Sequence, residues 1–276
     1  MVKLIIESGS SNSSWVILDD KVIDTQVLPG INPTAMPESI NIVDTYDSAY
    51  KNKIEKVFYY GSGVSNQQKA EQIQKRLSVQ FPLAAIEVVS DIMAACKSID
   101  SLEPCIVSIL GTGVNTVLYD GQSIKASIKS LGYLIDEEGS GFNIGRLIVK
   151  KYLRSEMLKT DDDLFRSTYN LNRTELISHI YTYNQVNFLI ASFSKFLNKC
   201  SKELRNEILK ENFNVYALNH IQKIANYRNY KINFVGSIAY VFRKELQEAM
   251  HTISATVGHI NQSPIEGLIK YHINNK

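Results

Sequence analysis

The sequence predicts an α/β fold made of two similar halves. Two observations carry that prediction: a strand, loop, strand, turn, strand plan that occurs twice about 100 residues apart, and an alternation of helical and strand patterns after each copy. A third is that both copies place small residues in the first loop.

The first copy runs from the apolar stretch Val2–Ile6 to Glu7, then Ser8-Gly-Ser-Ser-Asn-Ser-Ser14, then Trp15–Leu18, the Asp19-Asp20 turn and a strand over Val22–Leu28. The second runs through Cys105–Leu110, Gly111-Thr-Gly113, Val114–Tyr119, the Asp120-Gly121 turn and a strand near Ile124–Ile128. Asp-Gly between apolar runs is a strong hairpin signal. In a dinucleotide-binding unit the glycine loop opens a helix. Here β-branched and aromatic residues follow each loop, and Gly111-x-Gly113 has no third glycine at the required spacing, so that fold is disfavoured.

The apolar spacing at Ala70, Ile73, Leu77 and Val79 predicts a helix over Ser65–Gln80, between strands at Ile54–Tyr60 and Ile86–Val89. Further helices are predicted over Gly139–Leu153, Asn184–Leu197, Val215–Tyr227 and Ile238–Met250, with a strand at Lys231–Val235 ending at Gly236-Ser237. The polar break Asp100-Ser-Leu-Glu-Pro104 sets the boundary, giving lobes of 1–104 and 105–276, with the last helix free to pack back on the first lobe.

Composition narrows the function. The 276 residues are 44% hydrophobic and 21% charged, enough for a full core. A net charge of +2 with no dense basic stripe argues against nucleic acid as a partner. No apolar run reaches the roughly 18 residues that span a bilayer, and Glu7 interrupts the N-terminal run too early for a signal peptide, so a cytoplasmic protein with no membrane partner is expected. Three cysteines without C-x-x-C spacing read as thiols in a reducing compartment, and five scattered histidines argue against zinc.

The small-residue loops read in two ways. Ser8–Ser14 is either a flexible turn or a phosphate cradle, in which small residues let backbone N–H groups approach an anion. Gly111-Thr112-Gly113 at the matching place favours the cradle, with two loops gripping one polyphosphate. Glu7 is either a strand-end acid or a ligand for Mg²⁺ through water. Asp91, where a strand turns into a helix, is either an N-cap or a general base. The run Asp136-Glu137-Glu138 before Gly139-Ser-Gly141 is either a solvated face or a set of acceptors for sugar hydroxyls. Gly236-Ser237 is either a plain strand-to-helix turn or a helix N-terminus that receives a nucleotide.

Taken in order, these segments resemble the N-acetylglucosamine kinases within the BadF/BadG-type ATPase group of the sugar-kinase and actin-like superfamily. The resemblance covers nearly the whole chain. It rests on Glu7-Ser-Gly-Ser-Ser11, Gly30-Ile-Asn-Pro33, Phe58-Tyr-Tyr-Gly-Ser-Gly63, Asp91-x-x-Ala-Ala95 and Ile109-Leu-Gly-Thr-Gly-Val-Asn115. Leu131-Gly-Tyr-Leu134, Glu138-Gly-Ser-Gly141, Val235-Gly-Ser-Ile-Ala-Tyr240 and Ser263–His272 extend it. The resemblance implies a duplicated ribonuclease-H-like (actin-like ATPase) fold with ATP in a cleft between the lobes. It implies phosphate contacts from Ser8, Gly9, Ser10, Ser11, Asn12, Gly111, Thr112 and Gly113, and adenosine beside Gly236 and Ser237. It also implies that Asn32, Asp91, Gly132 and Glu137 face the sugar, with Asp91 as base toward the 6-hydroxyl.

The chain departs from the family pattern at the chemistry. The family has Asp where this chain has Glu7, Thr-Lys-Thr-Asp in place of Ser11-Asn-Ser-Ser14, and Gly-Asp-Glu in place of Asp136-Glu-Glu138. Each added methylene moves a carboxylate out by about 1.5 Å, and a misplacement on the order of 1 Å can cost about 100-fold in rate. The lost lysine removes a cation from beside the phosphates. The sequence therefore leads to an ATP- and Mg²⁺-dependent amino-sugar kinase, with a catalytically weakened sugar- or nucleotide-binding sensor as the alternative. An iron–sulfur ATPase activator is disfavoured by the cysteine spacing. The long C-terminal half leaves room for a homodimer interface.

Overall fold

The computed structural model describes residues 1–99, 101–128, 130–135 and 137–275. Asp100 of the predicted boundary and Asp136 of the acid run lie outside these. The chain forms two compact units, Met1–Leu102 with Ser263–Lys276 and Glu103–Gln262.

The first unit contains β1 (Lys3–Ser8), β2 (Asn12–Leu18), β3 (Val22–Pro29), β4 (Lys56–Gly61), α1 (Gln67–Gln80), β5 (Ala85–Ser90) and α2 (Asp91–Ile99). Its sheet has the order β3-β2-β1-β4-β5. The first three strands are antiparallel, whereas β4 runs parallel to β1 and β5 parallel to β4.

The second unit contains β6 (Cys105–Leu110), β7 (Val114–Tyr119), β8 (Ile124–Ile128), α3 (Gly141–Leu153), α4 (Lys159–Tyr169), α5 (Arg173–Thr182), α6 (Val186–Ser192) and α7 (Lys202–Tyr216). It continues with β9 (Lys231–Val235), α8 (Ser237–Val241), α9 (Arg243–Thr252) and β10 (Thr256–Asn261). The sheet order β10-β9-β6-β7-β8 is that of the first sheet read from its other edge, with the same parallel and antiparallel pairs. The duplicated ribonuclease-H-like fold is thus present as two five-stranded sheets of one topology.

Side-chain alternation explains why β1 is central. Leu4 and Ile6 join a core with Trp15, Ile17, Val57, Tyr59 and α1 residues Ile73 and Leu77. Ile5 points to the other face and packs with Val16, Leu18, Tyr60, Ala94 and Leu268. That second face is covered by α2 and by α10 (Ile265–Asn274), which returns from the far end of the chain. In the second unit α3, α4 and the segment around residue 196 bury an aromatic cluster of Tyr152, Phe165, Phe193 and Phe196.

Several helices differ from the pattern-based expectation. The helix expected over Val215–Tyr227 is instead α7, over Lys202–Tyr216, followed by a π-turn at Ala217–Ile221. Its buried stripe Leu204, Ile208, Leu209 and Phe213 lies among charged residues that mask the period, and Ser201 caps it by accepting from the Leu204 amide. The expected helix Asn184–Leu197 is α6 followed by a tighter 3₁₀ segment, Phe193–Asn198. The expected helix Ile238–Met250 breaks at Phe242 into α8 and α9. The structure adds α4, α5 and β10. Cys96 and Cys105 are buried thiols. No helix among the described residues is long and apolar enough to cross a membrane.

Candidate functional site

The candidate residues fall into two groups, one in each unit. In the first, the loop is shorter than the sequence implies, because β1 continues through Ser8 and β2 begins at Asn12. Gly9 N–H donates to the Asn12 carbonyl at 3.0 Å, leaving Ser10 and Ser11 at the tip. Asn12 is therefore a strand residue, in register with Pro29. Ser8 is fully buried, and its hydroxyl accepts from the Ile31 amide at 2.7 Å.

Three turns meet at this hairpin. Gly30 N–H donates to the Ser11 carbonyl, and Ser62 N–H to the Ser8 carbonyl, both at 2.9 Å. Asn32 Nδ2 donates to the Ser10 hydroxyl at 3.1 Å, while its Oδ1 accepts from the amides of Thr34 and Ala35. Asn32 thus spends most of its bonding capacity on holding the loop, a role its residue type does not reveal. Ser62, whose hydroxyl lies 3.4 Å from that of Ser10, is a further contact that sequence reasoning passed over within the Gly61-Ser-Gly63 turn.

Glu7, the last residue but one of β1, lies on the sheet face of Ile5, in register with Tyr60, which is in register with Val89 two residues before Asp91. That face is the one α2 covers, so its first residue, Asp91, comes near Glu7. Burial, reinforced by the Asp91 charge, pushes the Glu7 carboxyl up to about 7. Burial raises Asp91 to about 6, against the opposing pull of backbone hydrogen bonds such as that from Ile92 N–H at 2.8 Å. Asp91 therefore accepts from the next amide of its own helix and is also tuned toward neutral pH. Two nearby carboxylates whose charge is disfavoured by burial and repulsion form a pair that a divalent cation would stabilise.

In the second unit the Gly111–Gly113 turn is clamped against the start of α3. Gly141 N–H donates to the Gly111 carbonyl at 2.8 Å, and Phe142 N–H to the Thr112 carbonyl at 3.2 Å. In a trans peptide the following N–H points opposite to the carbonyl. With the carbonyls of residues 111 and 112 turned toward α3, the amides of Thr112 and Gly113 face away from it, the orientation an anion cradle requires.

Glu137 lies against this turn and, through Ser130, reaches Gly132. Its Oε2 accepts from Val114 N–H at 2.7 Å, and its Oε1 from the Ser130 hydroxyl at 3.0 Å. Gly132 is exposed at φ +82°, with its N–H 3.3 Å from the Ser130 hydroxyl. Gly236 adopts φ +125°, and a Cβ there would lie 2.4 Å from the Leu110 carbonyl oxygen, so the end of β9 passes directly beside the residue preceding Gly111. The helix that Ser237 opens runs for only five residues. Behind the site, the buried Asn212 Oδ1 accepts from Gly139 N–H at 3.0 Å and Asn143 Nδ2 at 2.7 Å. Nothing in the local sequence links Asn212 to that turn.

Gly111, Thr112, Gly113, Glu137 and Gly236 are thus brought together in the second unit, as Glu7, Ser8–Asn12, Asn32 and Asp91 are in the first. Among the described residues, no group of three or more His, Cys, Asp or Glu could hold a metal ion by itself.

No protein-family model matches the sequence, and no curated protein matches it. Solved structures do. The "putative N-acetylglucosamine kinase" of Porphyromonas gingivalis superposes with a TM-score of 0.92 at 29% identity, over 99% of each chain. A second "putative N-acetylglucosamine kinase", from Chromobacterium violaceum, gives 0.73 at 12% identity over 98% of each. A ROK hexokinase from Thermus thermophilus gives 0.52 at 10% identity over 100% of each, a likeness of fold alone. Its duplicated topology and this whole-length similarity give the chain the actin-like ATPase fold of sugar kinases, and it is similar throughout to a putative N-acetylglucosamine kinase.

Proposed function

We propose that the protein is a cytoplasmic, ATP-dependent sugar kinase of the BadF/BadG-type ATPase group. Its favoured acceptor is an amino sugar, N-acetylglucosamine first, phosphorylated at the 6-hydroxyl. The observation that carries this reading is Asp91, a carboxylate held at about 6 at a strand-to-helix junction beside a second acid. A base poised just below neutral pH is ionised in the cell yet basic enough to share a hydroxyl proton in the transition state.

On this reading Asp91 takes the proton of the sugar hydroxyl as the oxygen bonds to the γ-phosphorus, and ADP leaves with the electrons of the broken P–O bond. The amides of Thr112 and Gly113, with the Ser10–Ser11 tip, donate to the phosphates. Gly236 and Ser237 lie by the adenosine, and Asn32, Gly132 and Glu137 face the sugar. Glu7 would hold Mg²⁺ through water, and the ion would neutralise charge on the nucleotide.

A second reading, a sugar- or nucleotide-binding protein with weakened catalysis, is favoured by the Glu7 carboxyl being pushed up to about 7. A half-protonated acid is a poor cation ligand at neutral pH. Sugar-dependent ADP release, measured over a panel of hexoses and amino sugars, separates the two. Turnover with N-acetylglucosamine supports the kinase. Calorimetric sugar binding without turnover at millimolar concentration supports the binding protein.

A further inference from the structure

The Gly-Thr-Gly turn has two sides, and a different partner fixes each. On one side the first amides of α3 take the carbonyls of Gly111 and Thr112. On the other, the Glu137 carboxylate takes the Val114 amide, the first of β7, at 2.7 Å. The fit is tight: a Cβ at residue 113 would lie 2.8 Å from Glu137 Oε2, so glycine at 113 leaves the room in which the carboxylate reaches Val114. The other carboxylate oxygen accepts from Ser130 at 3.0 Å, and Ser130 in turn accepts from the Gly132 amide. Beyond this, the Glu137 carbonyl accepts from Ser140 N–H at 3.1 Å, joining the same residue to the cap of α3.

We infer that Glu137 is a positioning residue for nucleotide: it holds the Gly111–Val114 turn in the shape whose Thr112 and Gly113 amides receive phosphate. This goes beyond a role as sugar ligand, and it rests on the reading of Gly111–Gly113 as a phosphate loop. The physical reason is preorganisation. A glycine-rich turn has many accessible shapes, and a charge-assisted hydrogen bond at its far end removes most of them before the anion arrives. A carboxylate beside an anion site is otherwise unfavourable, so its presence here is explained by the shape it imposes. Glutamine can keep that shape, accepting from Val114 through Oε1 and donating to the Ser130 hydroxyl through Nε2.

The test compares wild type, Glu137→Ala and Glu137→Gln by MgADP calorimetry without sugar and by hydrogen exchange over Gly111–Val114. Loss of a hydrogen bond to a charged group predicts about 10-fold weaker MgADP binding for Glu137→Ala. Its turn should also exchange faster, while Glu137→Gln stays close to wild type in both measurements. The inference is overturned if Glu137→Ala binds MgADP like wild type while losing only sugar affinity, or if Glu137→Gln falls as far as Glu137→Ala. If wild type binds no MgADP, the phosphate-loop reading fails by itself. The exchange data then still decide whether Glu137 orders the turn, since unchanged exchange in Glu137→Ala refutes it.

Discussion

The hydroxyl of Tyr60 lies 2.9 Å from Nε2 of His272, bonding β4, beside the central strand of the first sheet, to α10 at the other end of the chain. Lys97 Nζ donates to the same phenol oxygen at 3.3 Å, which leaves the phenol proton for an unprotonated imidazole nitrogen. Burial, together with the charges of Lys97 and Lys3, drives the His272 imidazole down from 6.5 to about 3. The neutral ring is therefore part of the fold.

That arrangement makes stability depend on pH with a defined sign. Between about 3 and 6.5 the unfolded chain holds a proton on His272 that the folded chain does not, so stability rises with pH across this window. The contribution is complete above 6.5 and is lost as the pH falls toward 3. Urea unfolding at several pH values should show a shallower slope for His272→Gln than for wild type. An unchanged slope would place the titration elsewhere.

Asp91→Asn should lower sugar-dependent turnover by about 10²–10⁴-fold, the usual worth of a general base, while leaving sugar affinity within a few-fold. In wild type the rate should climb with pH through a midpoint at about 6 and then level off, because only the ionised carboxylate accepts a proton. The variant should lose that limb. A pH–rate profile of both proteins checks it.

Glu7→Asp should raise turnover and strengthen Mg²⁺ dependence by drawing the carboxyl back about 1.5 Å. Steady-state kinetics over a range of Mg²⁺ concentration measures both. Equal or lower turnover would mean that the longer acid is not what limits the rate.

Gly236→Ala combines a left-handed backbone with a Cβ 2.4 Å from the Leu110 carbonyl oxygen. The strain should cost roughly 1–3 kcal/mol of stability, read as a lower unfolding midpoint, and should disturb the neighbouring Gly111 turn. A midpoint like that of wild type would show that β9 can shift away from β6 at little cost.

The sheets were legible because strand alternation and the paired loops are local, repeated signals: Leu4–Ile6 and Ile106–Val107 announce buried central strands by composition alone. The helical stretch after α3 was harder. The core stripe of α7 is interleaved with Lys, Glu and Asn, and propensity alone does not say where one turn of such a helix ends. At the site, the residue types of Glu7, Asp91 and the glycine turns point to chemistry. Bonding partners do not follow from residue type. Nothing in the sequence says that Asn32 holds Ser10, that Glu137 holds Val114, or that Asn212 supports Gly139, since each bond joins segments distant along the chain or across a turn.

The return of α10 has a consequence for synthesis. Ile5, Val16, Leu18, Tyr60 and Ala94 form an apolar face on which Leu268 sits, and Leu268 leaves the ribosome only after the whole of residues 103–262. While translation proceeds through 103–262, the earlier portion waits with that greasy surface uncovered, a species prone to sticking to its neighbours. A stop codon placed shortly before Ser263 would thus harm the part of the protein made first.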